Sequence, residues 1–263
     1  MADYYPEGMP RRLDYVDAEV PELLEAAAAL YGERVAVADG EETLTYTGLA
    51  AAAAALSRDL HEHGIGAGDV VAVHLPNCLD FLVAYFGITG AGATATLVNP
   101  LQPPEALERQ LETVQAVGVV THPVTAAPLV PLAAHLRRVL LSRGTSCAPE
   151  PADRSAADSL LAGGGAALLA DVVAAGGRLE GRRRRSPDDV VHFAFTGGTT
   201  GAPKAVRVLH RNVVANITQI MAWRMATRVT RGADGRLCLS PIETLPRPYV
   251  SPGKDVTVHV PPP

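Results

Sequence analysis

A short, nearly continuous apolar run, Val70 to Leu75, followed by a second strand-like stretch, Thr94 to Val98, constrains the fold more than any other feature. A run such as Val70 to Leu75, bounded by turn residues, reads as a buried strand, because a half-exposed strand alternates and a core helix is longer. Between them Leu79, Leu82, Val83 and Phe86 fall at i, i+3, i+4 and i+7, the spacing of one helical face, with Pro76-Asn77 breaking the first strand and capping the helix. Strand, helix and strand in that order predict parallel pairing through a helical crossover.

The rhythm extends in both directions. Upstream, Leu23, Leu24, Ala27, Leu30 and Tyr31 give a helical stripe between Asp17 and Gly32. Arg34 to Ala38 and Glu42 to Tyr46 then read as strands joined by an Asp39-Gly40 turn, and Thr47 is placed to cap a helix that carries Leu49, Leu56 and Leu60 to about His63. Downstream, Pro104-Glu105 opens a helix with Leu107, Leu111 and Val114, and Val117 to Thr121 and Val139 to Leu141 read as strands. The predicted class is α/β, with layered, mostly parallel sheets and flanking helices. Composition divides the chain into an N-terminal α/β lobe over 1–141, a Gly/Ala/Arg-rich surface connection over 142–186 with one helix near Ala166 to Ala175, and a last lobe over 187–263.

Of the 263 residues 48% are hydrophobic, enough for a large core, and the formal net charge of −5 gives no global reason to expect nucleic acid as a partner. Cys78, Cys147 and Cys238 are far apart and suggest neither a zinc site nor a disulfide framework. The N-terminus lacks a signal-peptide profile and no apolar run reaches the ~20 residues of a membrane span, so a cytoplasmic location is expected. His61 and His63 suit a helix C-terminus better than a metal, and Arg182 to Arg185 reads as a solvated charge run. Gly90 to Ala95 has the glycines of a dinucleotide fingerprint but follows a helix and precedes a strand, the reverse of what pyrophosphate binding requires.

The segment richest in chemistry follows a predicted strand, Val190 to Phe195, and reads Thr196-Gly197-Gly198-Thr199-Thr200-Gly201-Ala202-Pro203-Lys204. Glycines let backbone amides turn toward a ligand, threonine hydroxyls add donors and the lysine adds a point charge, a combination suited to phosphate oxygens. Alone, a Gly/Thr turn with a surface lysine could be simply a turn. It is not a Walker A loop, since Pro203 precedes the lysine and Ala205 follows it.

The segment resembles the phosphate-binding signature of the adenylate-forming (AMP-binding) superfamily, which runs roughly Ser/Thr-Ser/Thr-Gly-Thr-Thr-Gly-x-Pro-Lys-Gly. Thr196, Gly198, Thr199, Thr200, Gly201, Pro203 and Lys204 match it, as do Val206, His210, Arg211 and Asn212 beyond; Gly197 replaces a hydroxyl and Ala205 replaces a glycine. Leu44-Thr45-Tyr46, Val71 to Asn77, Gly90 to Pro100 and Pro104 to Gln110 resemble upstream landmarks in the same order, and Val98-Asn99-Pro100 with Gln110 is closer to the acyl-CoA synthetase, coumarate:CoA ligase and luciferase branch. The resemblance implies ATP-dependent activation of a carboxylic acid to acyl-AMP, Mg²⁺ on the phosphates, and transfer to coenzyme A or a carrier-protein thiol. It also implies that Thr196, Gly197, Gly198, Thr199, Thr200, Gly201 and Lys204 bind the nucleotide.

The family's later motifs do not occur after Lys204, so the resemblance implies an incomplete N-terminal domain of the adenylate-forming fold, inactive alone. Its uncovered sheet edge predicts self-association. The run Asp255 to Pro263 is taken to lead into the family's Pro-x-x-His segment, which makes Ala226 to Val250 an inserted loop; the rival alignment puts that segment at Leu239-Ser240-Pro241. Competing readings are a non-catalytic remnant or interaction module that keeps only the loop, and a fragment of a peptide-synthetase adenylation domain. A kinase or ATPase lacks its own glycine loop here.

Overall fold

The computed structural model describes residues 10–143, 154–181, 184–196 and 203–242. Helix α1 (Val20–Tyr31) is followed by the strand pair β1 (Val35–Asp39) and β2 (Glu42–Thr45), which is antiparallel. Helix α2 (Tyr46–Glu62), β3 (Val70–His74), α3 (Leu79–Gly90), β4 (Thr94–Leu97), α4 (Pro104–Thr113) and β5 (Ala116–Thr121) then alternate as the apolar pattern predicts. Three 3-10 turns lead to β6 (Arg138–Leu141), and α5 (Ser155–Ala162), β7 (Ala167–Leu168) and α6 (Leu169–Ala175) follow. The last described elements are β8 (Val190–Phe195), β9 (Ala205–Leu209), α7 (His210–Met225), β10 (Thr227–Arg231) and β11 (Leu237–Pro241).

Seven strands form one sheet in the order β7-β6-β5-β3-β4-β8-β9, parallel throughout except for the antiparallel β8–β9 pair. Every residue of β3 is buried, as its unbroken apolar run requires. One face of the sheet packs on α2, α3 and α6 through a cluster that includes Leu56, Leu60, Val71, Val73, Val83, Ile88 and Leu169. The other face packs on a cluster that includes Leu107, Leu111, Val119, Leu129, Val139 and Leu160. The sheet draws strands from each of the three compositional stretches of the chain.

Four expectations are corrected. The cap of α2 is Thr45, whose hydroxyl accepts from the Gly48 amide at 3.0 Å, because the helix starts before Thr47. Cys78 rather than Asn77 occupies the N-cap of α3, with no side-chain cap bond. The 142–186 stretch carries two helices and an edge strand, with Ala157, Leu160, Leu169 and Val172 buried, so its described part is sheet and core rather than surface connection. Ala226 to Val250 is no inserted loop in its described part: β10 and β11 pair antiparallel from Thr227–Pro241 to Arg231–Leu237, around a turn in which Gly235 takes a φ of 76°. The Asp234-Gly235 pair is the turn signal for that hairpin.

Helix α3 approaches α2 closely at Gly87. A Cβ there would lie 2.6 Å from Leu56 Cδ2 and 2.8 Å from Leu56 Cβ, and the Ser57 hydroxyl donates to the Gly87 carbonyl at 2.8 Å. Helix propensity alone favours alanine over glycine by about 1 kcal/mol. Overpacking against Leu56 outweighs it, so Gly87→Ala should destabilise the fold by about 1–3 kcal/mol, read as a lower urea midpoint.

Candidate functional site

The phosphate-loop sequence joins β8 to β9 at the C-terminal end of the parallel strands, the side on which open α/β sheets receive ligands. Strand β8 is held on one edge by β4, with Ala95 opposite His192 and Leu97 opposite Ala194, and on the other by β9, with Phe195 opposite Ala205. The Thr94 hydroxyl also donates to the Val190 carbonyl at 3.1 Å.

Just beyond the last pair the hairpin is closed by Thr196 and Lys204. The Thr196 amide donates to the Lys204 carbonyl at 3.1 Å, and the Lys204 amide donates to Thr196 Oγ1 at 3.3 Å. Both residues are exposed, so the hydroxyl hydrogen of Thr196 and the ammonium of Lys204 stand at an open mouth. Of the residues expected to bind nucleotide, these two are brought together; Gly197, Gly198, Thr199, Thr200 and Gly201 lie outside the described residues. Ala205, which departs from the family's glycine, is a strand residue paired with Phe195 rather than part of the loop's bend. The chemistry of the described donors, a hydroxyl and an ammonium, suits an anion. Among the described residues no three His, Cys, Asp or Glu side chains gather to hold a metal.

Sequence reasoning missed the support beneath this mouth. Tyr85 of α3 bonds through its hydroxyl to His192 Nδ1 at 3.0 Å, the rings meeting edge-on with centroids 5.7 Å apart. Burial holds the His192 imidazole below its ordinary pKa and pushes the Tyr85 phenol up, so the pair is neutral near pH 7. The two residues are 107 positions apart, and no local pattern announces their contact. At the ends of β3 and β5, His74 Nδ1 bonds Thr121 Oγ1 at 2.8 Å, while His122 accepts from the Val124 amide at 3.2 Å. Burial, then the neighbouring His122, brings His74 down to about 4; burial, then Arg154, lowers His122.

Residues 24–243 match the AMP-binding enzyme family. The chain belongs to that family. The match runs through the β10–β11 hairpin, the stretch expected from sequence to be an insertion. The chain is 26% identical over 253 residues to a long-chain-fatty-acid–CoA ligase of Bacillus subtilis (strain 168), covering 90% of this chain and 44% of the relative. It is 30% identical over 221 residues to 4-coumarate–CoA ligase 3 of Oryza sativa subsp. japonica, covering 82% of this chain and 36% of the relative. It thus spans less than half the length of these two relatives. The crystal structure of a long-chain-fatty-acid–CoA ligase from Archaeoglobus fulgidus shares the fold, with a TM-score of 0.67 and 24% identity over 84% of this chain and 42% of that one.

Two buried imidazoles, His74 and His122, and the half-buried His192, all kept neutral, give the AMP-binding family chain an acid sensitivity of definite sign. Unfolded histidines take up protons near pH 6.5, whereas His74, His122 and His192 resist until lower pH, so the unfolded state binds more protons and stability falls as pH falls. The urea midpoint should be flat well above pH 6.5 and fall from there down through about pH 4, where His74 titrates in the folded chain, and His74→Gln should flatten that slope.

Proposed function

We propose that the chain provides the nucleotide-binding part of an enzyme that activates a carboxylic acid as its acyl-AMP and passes the acyl group to a thiol, coenzyme A or a carrier-protein thiol. The observation that carries this reading is the closed hairpin base, Thr196 with Lys204, at the ligand-facing end of a parallel sheet in an AMP-binding family chain. In this reading the substrate carboxylate attacks the α-phosphorus of ATP, pyrophosphate leaves, and Mg²⁺ offsets charge on the phosphates. The chain's own part is positioning: Thr196 Oγ1 and Lys204 Nζ, with Gly197, Gly198, Thr199, Thr200 and Gly201, hold the β- and γ-phosphates while the leaving pyrophosphate gains charge.

The two relatives are named for long-chain fatty acids and for 4-coumarate, which supports an apolar or aryl carboxylic acid as substrate class and a coenzyme A thioester as product. A cytoplasmic site of action accords with the ATP and coenzyme A that this chemistry would consume; among the described residues no helix is long and apolar enough to cross a membrane. A second reading, a non-catalytic module that keeps only the loop, rests on the family's later motifs not occurring after Lys204; Gly197, where the family signature has a hydroxyl, removes a phosphate donor in either reading.

Isothermal titration of the chain with Mg-ATP and with Mg-pyrophosphate tests the shared core of both readings. Lys204→Ala should weaken both affinities by about tenfold or more, since it deletes the charge-assisted bond. Equal affinities in the two proteins would end the loop's assignment. ATP–pyrophosphate exchange dependent on a carboxylic acid separates the catalytic reading from the binding module.

A further inference from the structure

The β8–β9 hairpin has a loop end, closed where Thr196 meets Lys204, and two feet at the opposite end. The feet are bound to each other, the His210 amide donating to the Asp189 carbonyl at 3.1 Å and the Arg211 amide to the Pro187 carbonyl at 2.9 Å. Both are also bound to the first turn of α1, more than 160 residues away in sequence. The Val20 amide donates to His210 Nδ1 at 3.1 Å, and Arg184, just upstream of β8, donates from Nη2 to Glu22 Oε2 at 2.6 Å.

Glu22 is the centre of this arrangement. Its side chain is 7% exposed, and the same Oε2 accepts from Arg231 Nη1 of β10 at 2.9 Å while Oε1 accepts from the Glu19 amide at 3.0 Å. Burial raises its pKa, but the bonds to Arg231 and to the Glu19 amide and the charges of Arg231 and Arg184 outweigh that, so the carboxyl sits below its ordinary value and stays ionised. One buried carboxylate therefore ties the chain entering β8 and the strand after α7 to a common point.

The stretch between feet and loop end is where such a tie matters. Pairing along β8–β9 is irregular between Val190 and His192, where the facing partners step only from Leu209 to Val208, so β8 carries one extra residue. A bulge of this kind is a place where register can be kept or lost, and a one-residue slip would carry Thr196 away from Lys204 and turn each side chain to the other face.

We propose that Glu22 is a positioning residue for the phosphate loop: by holding Arg184, which leads into β8, and Arg231, at the end of β10, it fixes the β8 foot of the β8–β9 hairpin and the strand that follows α7, and hence the register that sets Thr196 against Lys204. Its consequence for ligand binding rests on the function proposed above, whereas its consequence for register does not.

Amide hydrogen exchange followed by NMR on the full chain separates the two. In Glu22→Gln the Thr196 amide, bonded to the Lys204 carbonyl, should exchange about tenfold faster, as expected when a charged hydrogen-bond partner is lost, while Val71 and Val73 of β3 keep their rates. Mg-pyrophosphate affinity should fall with it. Should Glu22→Gln fail to fold, Arg184→Gln, whose side chain is 64% exposed, removes one arm of the tie and should give the same pattern with smaller amplitude. An unchanged Thr196 rate, or equal acceleration at Thr196 and in β3, overturns the proposal, the latter by making Glu22 a general stabiliser. A wild-type chain that binds no pyrophosphate, with Thr196 still responding to Glu22→Gln, would remove the phosphate reading and leave the register tie standing.

Discussion

The loop-bearing part of the molecule depends on the parallel pairing of β8 with β4. The residues that follow β8 can present backbone and side-chain donors to an anion only if β8 itself is fixed, and its edges are fixed unequally. On one side β9 is joined to it through the loop; on the other β4 contributes the row Ala95–His192 to Leu97–Ala194, with the Thr94 hydroxyl adding a bond to Val190. Strand β4 is placed in turn by α3, which can approach α2 because Gly87 leaves room for Leu56. The position of the hairpin thus traces back to a missing side chain in the helix layer on one face of the sheet.

Much of this was legible in the sequence where the signal is local. The buried run of β3, the apolar face of α3 and the buried strand β4 follow from periodicities that a few neighbouring residues express, and tertiary packing reinforced them. The misreadings have physical causes. Alanine-rich helices supply little burial per residue, so the 142–186 stretch looked like surface, yet Leu169 and Val172 insert into the main core and Ala167–Leu168 extends the sheet by pairing with Leu140–Leu141. In the β10–β11 hairpin the alternation is short, Thr227 and Val229 inward around exposed Arg228 and Leu237 inward before exposed Cys238, and it lies in an Arg- and Gly-rich stretch where Asp234-Gly235 marks the turn.

The site divides along the same line. Thr196 and Lys204 were legible because a loop that holds phosphate needs its residue types in a fixed order over a short stretch. Their mutual backbone bonds, and the strand character of Ala205, follow from hairpin register and not from order. Tyr85 and Glu22 were illegible because their partners lie 107, 162 and 209 positions away, and a tyrosine or glutamate on a helix announces nothing about a distant strand.

Glu22 also belongs to a pattern that spans one layer of the fold. Asp59, near the end of α2, takes both Arg138 Nε and Nη2 at 2.9 and 2.6 Å, and Asp80, in the first turn of α3, takes the Arg143 amide at 2.9 Å and its Nη2 at 3.2 Å. Each of the three helices therefore carries a buried carboxylate bonded to an arginine at the start or end of a distant strand. The helix dipole favours Asp80 and Glu22, which sit in first turns, and opposes Asp59, which sits in a last turn. Asp59 offsets that with a bidentate partner at the start of β6, and Glu22 also meets two nitrogens of Arg231, at 2.9 and 3.5 Å. Buried ion pairs add little net stability over well-packed apolar side chains, because desolvation offsets attraction. What they add is direction: apolar contact along a helix is non-directional, whereas a buried carboxylate is satisfied only where its guanidinium stands.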